Sequence, residues 1–178
     1  MSLLVDEDRL WVGTFTGGLN LINLDQQTVK RFRYEAGNEK SLGAMGVTSI
    51  IRSKTGNLYV ATYQGGVGVL PPNSSEFERI DTTGPPERRL KNDNVIALYQ
   101  DSLGYIYIGT ENGLSVLKEE TQTIVSFQSE RGNPHSLTSN LVWTFYEDSS
   151  QNLWIGTNRG GPNVWKLENR RELEAYFD

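Results

Sequence analysis

Few residues in this chain have the type and spacing that catalysis requires. His135 is the one histidine among 178 residues, and it lies in Asn133-Pro134-His135-Ser136, which predicts a loop. A catalytic histidine needs a nucleophile or an orienting acid, and no neighbouring residue in the sequence supplies one. The chain has no cysteine, which excludes disulfides and thiolate metal sites. We therefore expect no catalytic residue, no metal site and no cofactor.

Three other polar or glycine-rich stretches favour turns over chemistry. Asp6-Glu7-Asp8 lacks the spaced oxygens and the following glycine of a calcium loop. The stretch from Gly65 to Gly68 is glycine-rich, but no helix follows it, as a phosphate loop would need. Asp101 and Asp148 begin turns, where aspartate caps local backbone amides. They occupy equivalent places in two repeats, which argues against a catalytic carboxylate pair.

The element that must position any functional residue is a five-residue phrase written four times. Its closing threonines stand 48, 48 and 47 residues apart. The copies are Leu10-Trp11-Val12-Gly13-Thr14, Leu58-Tyr59-Val60-Ala61-Thr62, Ile106-Tyr107-Ile108-Gly109-Thr110 and Leu153-Trp154-Ile155-Gly156-Thr157. A fixed period of this length is typical of repeat architectures.

Each full repeat predicts four short strands joined by Gly, Asn and Asp turns, with no run of helical periodicity. We therefore expect an all-β fold, a β-propeller of about four blades with four antiparallel strands each. The whole chain, 1–178, would be a piece of a larger propeller, with repeat units at about 1–42, 43–90, 91–137 and 138–178. The last strand of the last unit is predicted over Leu173 to Phe177.

The phrase has a packing explanation. On strand alternation, Leu153 and Ile155 face one neighbouring blade, while Trp154 and Gly156 face the other. A large ring beside a residue without a side chain leaves a step into which the next blade fits. Valine at Gly156 is therefore expected to overpack that contact.

Several positions in register resemble the two-component regulator propeller repeat. They are Ser136-Leu137, Val142, Asp148 and Leu153 to Thr157, and the third unit repeats the pattern from Asn94 to Leu114. Ser53, Gln151 and the phrase tyrosines depart from it at positions that affect blade packing. The resemblance implies the periplasmic sensor region of a membrane-anchored bacterial protein, often one that senses carbohydrates or other nutrients. In that family a membrane span and a histidine kinase, or another output module, follow the propeller.

Recognition is expected just after each phrase, where the four copies stop agreeing. Phe15, Tyr63, Glu111 and Asn158-Arg159 occupy equivalent positions there. Varied side chains on a repeated scaffold are typical of binding loops. Aromatic rings with Asn, Glu and Arg suit stacking and hydrogen bonding to a sugar, so a small-molecule or oligosaccharide ligand is expected.

Composition narrows the partners further. The net charge of −5 disfavours nucleic acid and anionic membrane surfaces as partners, and no stretch is apolar enough to span a bilayer. Open blade edges predict a homo-oligomer that covers them. Two other functions remain open: a propeller scaffold for protein–protein contacts, and a propeller lyase or hydrolase, which the single histidine disfavours.

Overall fold

The computed structural model describes residues 1–177, which form antiparallel strands joined by tight turns. The strands are β1 (Ser2–Asp6), β2 (Arg9–Gly13), β3 (Leu19–Asn23), β4 (Thr28–Phe32), β5 (Gly46–Arg52), β6 (Leu58–Tyr63), β7 (Val67–Leu70), β8 (Glu78–Ile80), β9 (Val95–Gln100), β10 (Ile106–Thr110), β11 (Gly113–Lys118), β12 (Thr123–Phe127), β13 (Val142–Glu147), β14 (Leu153–Thr157) and β15 (Asn163–Trp165). Pro86–Arg88 and Glu172–Tyr176 are 3₁₀ helices, and α1 is Leu167–Arg171.

Neighbours in sequence are neighbours in each sheet. The sheets formed by residues 1–177 have the orders β1-β2-β3-β4, β5-β6-β7-β8, β9-β10-β11-β12 and β13-β14-β15. A four-stranded antiparallel meander is the architecture of a propeller blade, so the sheets are called the first to fourth blades below. The predicted all-β class is confirmed.

The fourth blade departs from the prediction, since it has three strands. Leu173 to Phe177, predicted as its outer strand, is helical, and that prediction was wrong. Apolar residues four apart can lie on one face of a helix, so a short run such as this one fits either structure. The helical arrangement buries Leu173 and Arg170, which are 3% and 0% exposed.

The chain divides into two compact units. The first is Met1–Asp81 with Asp93–Val95 and holds the first and second blades; the second is Thr82–Asn92 with the chain from Ile96 onward and holds the third and fourth. Each unit has its own apolar core. The buried core of the first unit is Trp11, Leu19, Phe32, Leu42, Val47, Ile50, Leu58, Val60, Leu70 and Phe77. That of the second is Tyr105, Tyr107, Leu114, Val116, Leu137, Val142, Leu153, Ile155 and Leu173.

In both units, the first strand of the next blade packs into the space left by the phrase glycine. A Cβ atom at Gly13 would lie 2.4 Å from Cγ1 of Val47 and 3.2 Å from Cδ1 of Ile50 on the following blade. At Gly109 it would lie 2.9 Å from Cγ1 of Val142. All three distances are shorter than ordinary van der Waals contact. The glycine therefore lets the first strand of the next blade approach.

Gly156 is a different case. A Cβ atom there would first meet Cγ2 of Thr144 in its own blade, at 2.7 Å. Trp154, on the same face, is 39% exposed, whereas Trp11 is 4% exposed. Within the described residues of the second unit no blade covers Gly156, so the contact expected there is not made inside that unit.

We expect Gly109→Val to lower the free energy of unfolding of the second unit by roughly 1–3 kcal/mol, because it overpacks a contact between two blades. Gly156→Val is the matched control, since the side chain of Thr144 that it meets is exposed and can rotate away. Urea unfolding of both variants measures the difference. Equal losses would contradict this account of the step.

Candidate functional site

The turn after each phrase is closed by the phrase threonine. Its Oγ1 donates a hydrogen bond to the carbonyl oxygen of the turn glycine in every blade. The pairs are Thr14–Gly18 at 3.1 Å, Thr62–Gly66 at 2.9 Å, Thr110–Gly113 at 3.0 Å and Thr157–Gly161 at 3.1 Å. The four glycines have φ of +75°, +66°, +110° and +84°, a region that favours glycine. The hydroxyl thus holds the turn from which the predicted recognition residues project.

Two predicted recognition residues meet in the first unit. The ring centroids of Phe15 and Tyr63 are 6.5 Å apart with an interplanar angle of 35°. Phe15 is 65% exposed. A Cβ atom at Gly46 would lie 3.2 Å from the backbone oxygen of Phe15. The absence of a side chain at Gly46 therefore allows the two segments to pack closely. The exposed ring of Phe15 and the half-buried ring of Tyr63 form one aromatic surface, called the Phe15–Tyr63 pair below.

The other predicted recognition residues lie in the second unit. Glu111 is exposed in the turn between β10 and β11. Asn158 and Arg159 are exposed in the turn between β14 and β15, where the amide of Asn158 donates to the carbonyl of Leu141 at 3.0 Å. Among the five predicted recognition residues, Phe15 and Tyr63 are the two that a described ring contact brings together.

The second unit also contains a groove that the sequence did not predict. It has a volume of about 780 Å³ and lies between β12, β15, the loop 128–138 and the two short helices of residues 167–176, which are together called the helical segment below. Three aromatic rings form its apolar part. Phe127 packs edge-on against Trp165 at 5.0 Å and against Tyr176 at 5.8 Å, both between ring centroids.

The polar wall of the groove is a loop held by its own side chains. The amide of Glu130 donates to Oγ of Ser136 at 2.9 Å, and Nδ2 of Asn133 donates to Oε2 of Glu130 at 2.8 Å. The amide of His135 donates to Oδ1 of Asn133 at 2.9 Å. His135 thus lines the groove as an exposed residue of an ordered loop. Aromatic faces beside amide and carboxylate groups are the usual lining of a small-molecule site.

A buried group of charges holds the helical segment in the second unit. Nη2 of Arg170 lies 2.8 Å from Oε1 of Glu147 and 3.4 Å from Oδ2 of Asp101. Asp101 also accepts hydrogen bonds from the amide of Tyr105 and the hydroxyl of Tyr107, each at 2.9 Å. Nε and Nη1 of Arg170 are buried without a hydrogen-bond partner. This partial pairing of a buried cation costs stability that the ion pairs must offset.

The carboxylates of this group respond differently to burial. Burial raises the pKa of Asp101 above its ordinary value, against the opposing effect of the Tyr107 hydroxyl and Arg170. Burial also acts to raise the pKa of Glu147, but hydrogen bonds from Ser102 and Arg170 outweigh it and the pKa of Glu147 is lowered. Burial next to Asp101 raises the pKa of the Tyr107 hydroxyl. The network therefore favours a charged Glu147 opposite Arg170.

Turn capping by the two repeat aspartates is confirmed. Asp148 accepts from the amides of Ser150 and Asn152 at 2.9 Å each, and from Nε1 of Trp154 at 2.9 Å. The additional role of Asp101 in an ion network was missed, because its partner Arg170 is 69 residues away and no local pattern marks it.

The acidic stretch near the N-terminus forms a hairpin turn, and Asp6 pairs with Arg52 of the next blade at 2.5 Å. Among residues 1–177, no three His, Cys, Asp or Glu side chains are grouped as a metal site would require. Within the same residues, no helix has the length and apolar character needed to cross a bilayer.

We expect Arg170→Ala to destabilise the second unit by about 3–5 kcal/mol, because it leaves Asp101 and Glu147 without their buried cation. The neighbouring Arg171 is exposed, so Arg171→Ala is the control, with an expected change within about 0.5 kcal/mol. Chemical denaturation of the two variants decides. A loss at Arg170 no greater than at Arg171 would show that the ion network contributes nothing net.

Comparisons with known proteins bear on this site and its scaffold. Residues 89–112 and 136–159 match the family model described as "two component regulator propeller". These stretches lie in the third and fourth blades and run through the phrase into the turn after it. No curated protein matches the chain.

Solved structures show the same fold. The extracellular domain of a hybrid two component system from B. thetaiotaomicron is 20% identical with a TM-score of 0.65, over 94% of this chain and 27% of that one. PorZ, a surface component of the type-IX secretion system of Porphyromonas gingivalis, is 14% identical with a TM-score of 0.66, over 93% and 25%. Virginiamycin B lyase from Staphylococcus aureus is 12% identical with a TM-score of 0.63, over 93% and 55%.

At these identities the likeness shows the fold alone. The chain has the β-propeller fold, as predicted. It spans about a quarter of the length of the first two of these structures.

Proposed function

We propose that this chain is a sensor region of a bacterial two-component signalling protein, since two of its repeats match the model of the two component regulator propeller family. The match of two of its repeats to that family carries the proposal. The relative from B. thetaiotaomicron is itself described as an extracellular domain, which supports a periplasmic location here. A histidine kinase or another output module would belong to the same signalling protein.

The ligand we propose is a carbohydrate or a similar polar nutrient. The Phe15–Tyr63 pair offers ring faces on which a sugar can stack, and Phe15 is 65% exposed. In the second unit, the equivalent turns carry Glu111, Asn158 and Arg159, whose side chains can form hydrogen bonds to a ligand of the same kind. The groove beside Phe127, Trp165 and Tyr176 is a second place where the same ligand chemistry fits.

The proposed role is non-enzymatic. The imidazole of His135 has no hydrogen bond or ion pair within the described residues, so its geometry does not favour an acid or base role. Virginiamycin B lyase shares the propeller fold, but fold alone does not carry an activity from one protein to another.

A protein-interaction scaffold is the second candidate function. It is favoured by large apolar side chains exposed on the fourth blade. Tyr146, Trp154 and Val164, which strand register places side by side, are 65%, 39% and 41% exposed. Exposed apolar groups that lie together are typical of interaction surfaces.

Titration of the chain with a panel of neutral and acidic oligosaccharides tests ligand binding, by thermal shift and then by calorimetry. If the Phe15–Tyr63 pair is the platform, Phe15→Ala weakens binding about tenfold, the loss expected for one aromatic contact. Leu24→Ala is the control, since Leu24 is an exposed apolar residue in the same unit. It should leave affinity unchanged.

His135→Ala and Tyr176→Ala test the groove in the same way. A loss confined to these two variants would move the site from the Phe15–Tyr63 pair to the groove. If no saccharide binds the wild-type chain, or if none of these variants weakens the binding that is seen, the carbohydrate proposal fails at these two sites.

A further inference from the structure

The two faces of a blade in this chain have different shapes and fit each other. One face carries the phrase aromatic and glycine and is called the trailing face. The opposite face carries the phrase aliphatics and is called the leading face. In the first unit, Ile50 and Val60 on the leading face of the second blade pack against Trp11 and Gly13 on the trailing face of the first. The second unit repeats this contact, where Phe145 packs against Tyr107 and Gly109.

The trailing face of the fourth blade is uncovered within the second unit. Strand register places Tyr146, Trp154 and Val164 side by side in one row. They are 65%, 39% and 41% exposed. The equivalent residues of the third blade, Tyr107 and Val116, are fully buried.

The leading face of the first blade is uncovered within the first unit. Register places Leu3 beside Val12, and places Val5, Leu10, Ile22 and Val29 in a row. Leu3 and Val5 are 67% and 71% exposed. Leu3 has the same position in the first blade as Ile50 has in the second, because Leu3 pairs with Val12 of β2 and Ile50 pairs with Val60 of β6. Ile50 is one of the residues that pack beside the phrase glycine Gly13 of the preceding blade.

We propose that the trailing face of the fourth blade binds the leading face of the first blade of a second copy of this chain. The contact repeats the one that both units make internally, with Leu3 of one copy seated near Trp154 and Gly156 of the other. The occupant is defined by shape: a blade whose first strand presents an aliphatic side chain at the position of Ile50. Such a contact is head-to-tail, so it builds a closed ring or a filament.

Sedimentation velocity of the wild-type chain and two variants tests the proposal. Leu3→Glu blocks the leading face and Trp154→Glu blocks the trailing face. Each should weaken assembly by on the order of 30-fold or more, as removal of a central interface anchor does. Leu24→Glu, an exposed apolar residue in a turn, should leave assembly unchanged. All three side chains are exposed, and circular dichroism verifies that the variants fold.

Mixing the two blocked variants separates this contact from other modes of assembly. Leu3→Glu retains its trailing face and Trp154→Glu retains its leading face, so an equimolar mixture should form a heterodimer that neither forms alone. If only Trp154→Glu weakens assembly and mixing restores nothing, like faces pair and the proposal is wrong. A monomeric wild-type chain also overturns it, and assigns both faces to further blades of a longer protein.

The fourth blade has no outer strand within the described residues 1–177. In the complete blades the turn glycine lies against the last carbonyl of the outer strand. A Cβ atom at Gly18, Gly66 or Gly113 would lie 2.3, 2.3 or 2.5 Å from the carbonyl oxygens of Phe32, Ile80 and Phe127, respectively. Gly161 has the same positive φ, but no atom lies within 4 Å of its Cβ position. The edge of β15 beside it borders the groove.

Leu173 to Phe177 shares its length and its last residue with two of the outer strands in the complete blades. It spans five residues and ends in phenylalanine, as Thr28–Phe32 and Thr123–Phe127 do. Its helical arrangement is held by Arg170, by the hydrogen bond of Tyr105 to Glu174 at 2.6 Å and by the stacking of Phe177 on Tyr105. That arrangement also leaves two buried nitrogens of Arg170 without a partner.

We infer that residues 167–177 have a second arrangement, in which Leu173 to Phe177 pairs with β15 as the outer strand of the fourth blade. Phe177 then takes the place that Phe127 has in the third blade, and its carbonyl faces Gly161. By the register of the third blade, where Val116 pairs with Val125, Val164 then pairs with Ala175. The exchange releases Arg170 from Asp101 and Glu147.

The absence of native cysteine makes disulfide trapping unambiguous. Cysteines at Val164 and Ala175 should form a disulfide under mild oxidation, since directly opposed strand residues lie within disulfide reach. Cysteines at Val164 and Glu174 are the control, because alternation puts Glu174 on the other side of the strand.

Adding Arg170→Met to the Val164–Ala175 cysteine pair should speed its disulfide formation, and adding Arg171→Met should not. Failure of this pair to oxidise in all three backgrounds would overturn the inference. Equal oxidation of the two cysteine pairs would overturn it as well, since that pattern indicates a segment without strand register.

Discussion

The close approach of successive blades at the phrase glycine is the contact on which the rest of each unit depends. At Gly13 and Gly109 the absent side chain leaves a space that the first strand of the next blade enters. A larger residue there would hold the two sheets apart, and the aromatic residue two positions earlier would lose its cover. The burial of Trp11 and Tyr107 at 4% and 0% exposure follows from this single small residue. Both apolar cores are built around it.

A second constraint keeps the turn after each phrase in a defined shape. The phrase threonine ties the turn glycine by its hydroxyl, and in complete blades the outer strand closes against that glycine. Because backbone and threonine hold the turn, the side chain after the threonine is free to vary. This division explains how one scaffold presents Phe15, Tyr63, Glu111 and Asn158 at equivalent places. It is a reason to look for recognition there and to treat the phrase as structure.

The second unit shows what happens where the repeat is incomplete. The position of an outer strand is taken in part by a helical segment, which brings Arg170 into the core beside Asp101 and Glu147. The same rearrangement leaves a groove and an unfilled position at Gly161. An ion network, the hydrogen bond of Tyr105 to Glu174 and the stacking of Phe177 on Tyr105 hold this segment in its helical arrangement.

Local sequence patterns were enough to predict the period, the strands other than the last one of the fourth unit, the turns and the propeller fold, because alternation and turn chemistry act over a few residues and recur in all four units. They also placed Asp101 and Asp148 in their turns. The tertiary structure was needed to show that the threonine closes the turn, that Phe15 meets Tyr63, and that no blade among the described residues of the second unit covers Gly156. It also decided that Leu173 to Phe177 is helical and that Arg170 is buried. These features depend on contacts between residues far apart in sequence. A local sequence pattern does not show the free energy of such contacts and so cannot predict them.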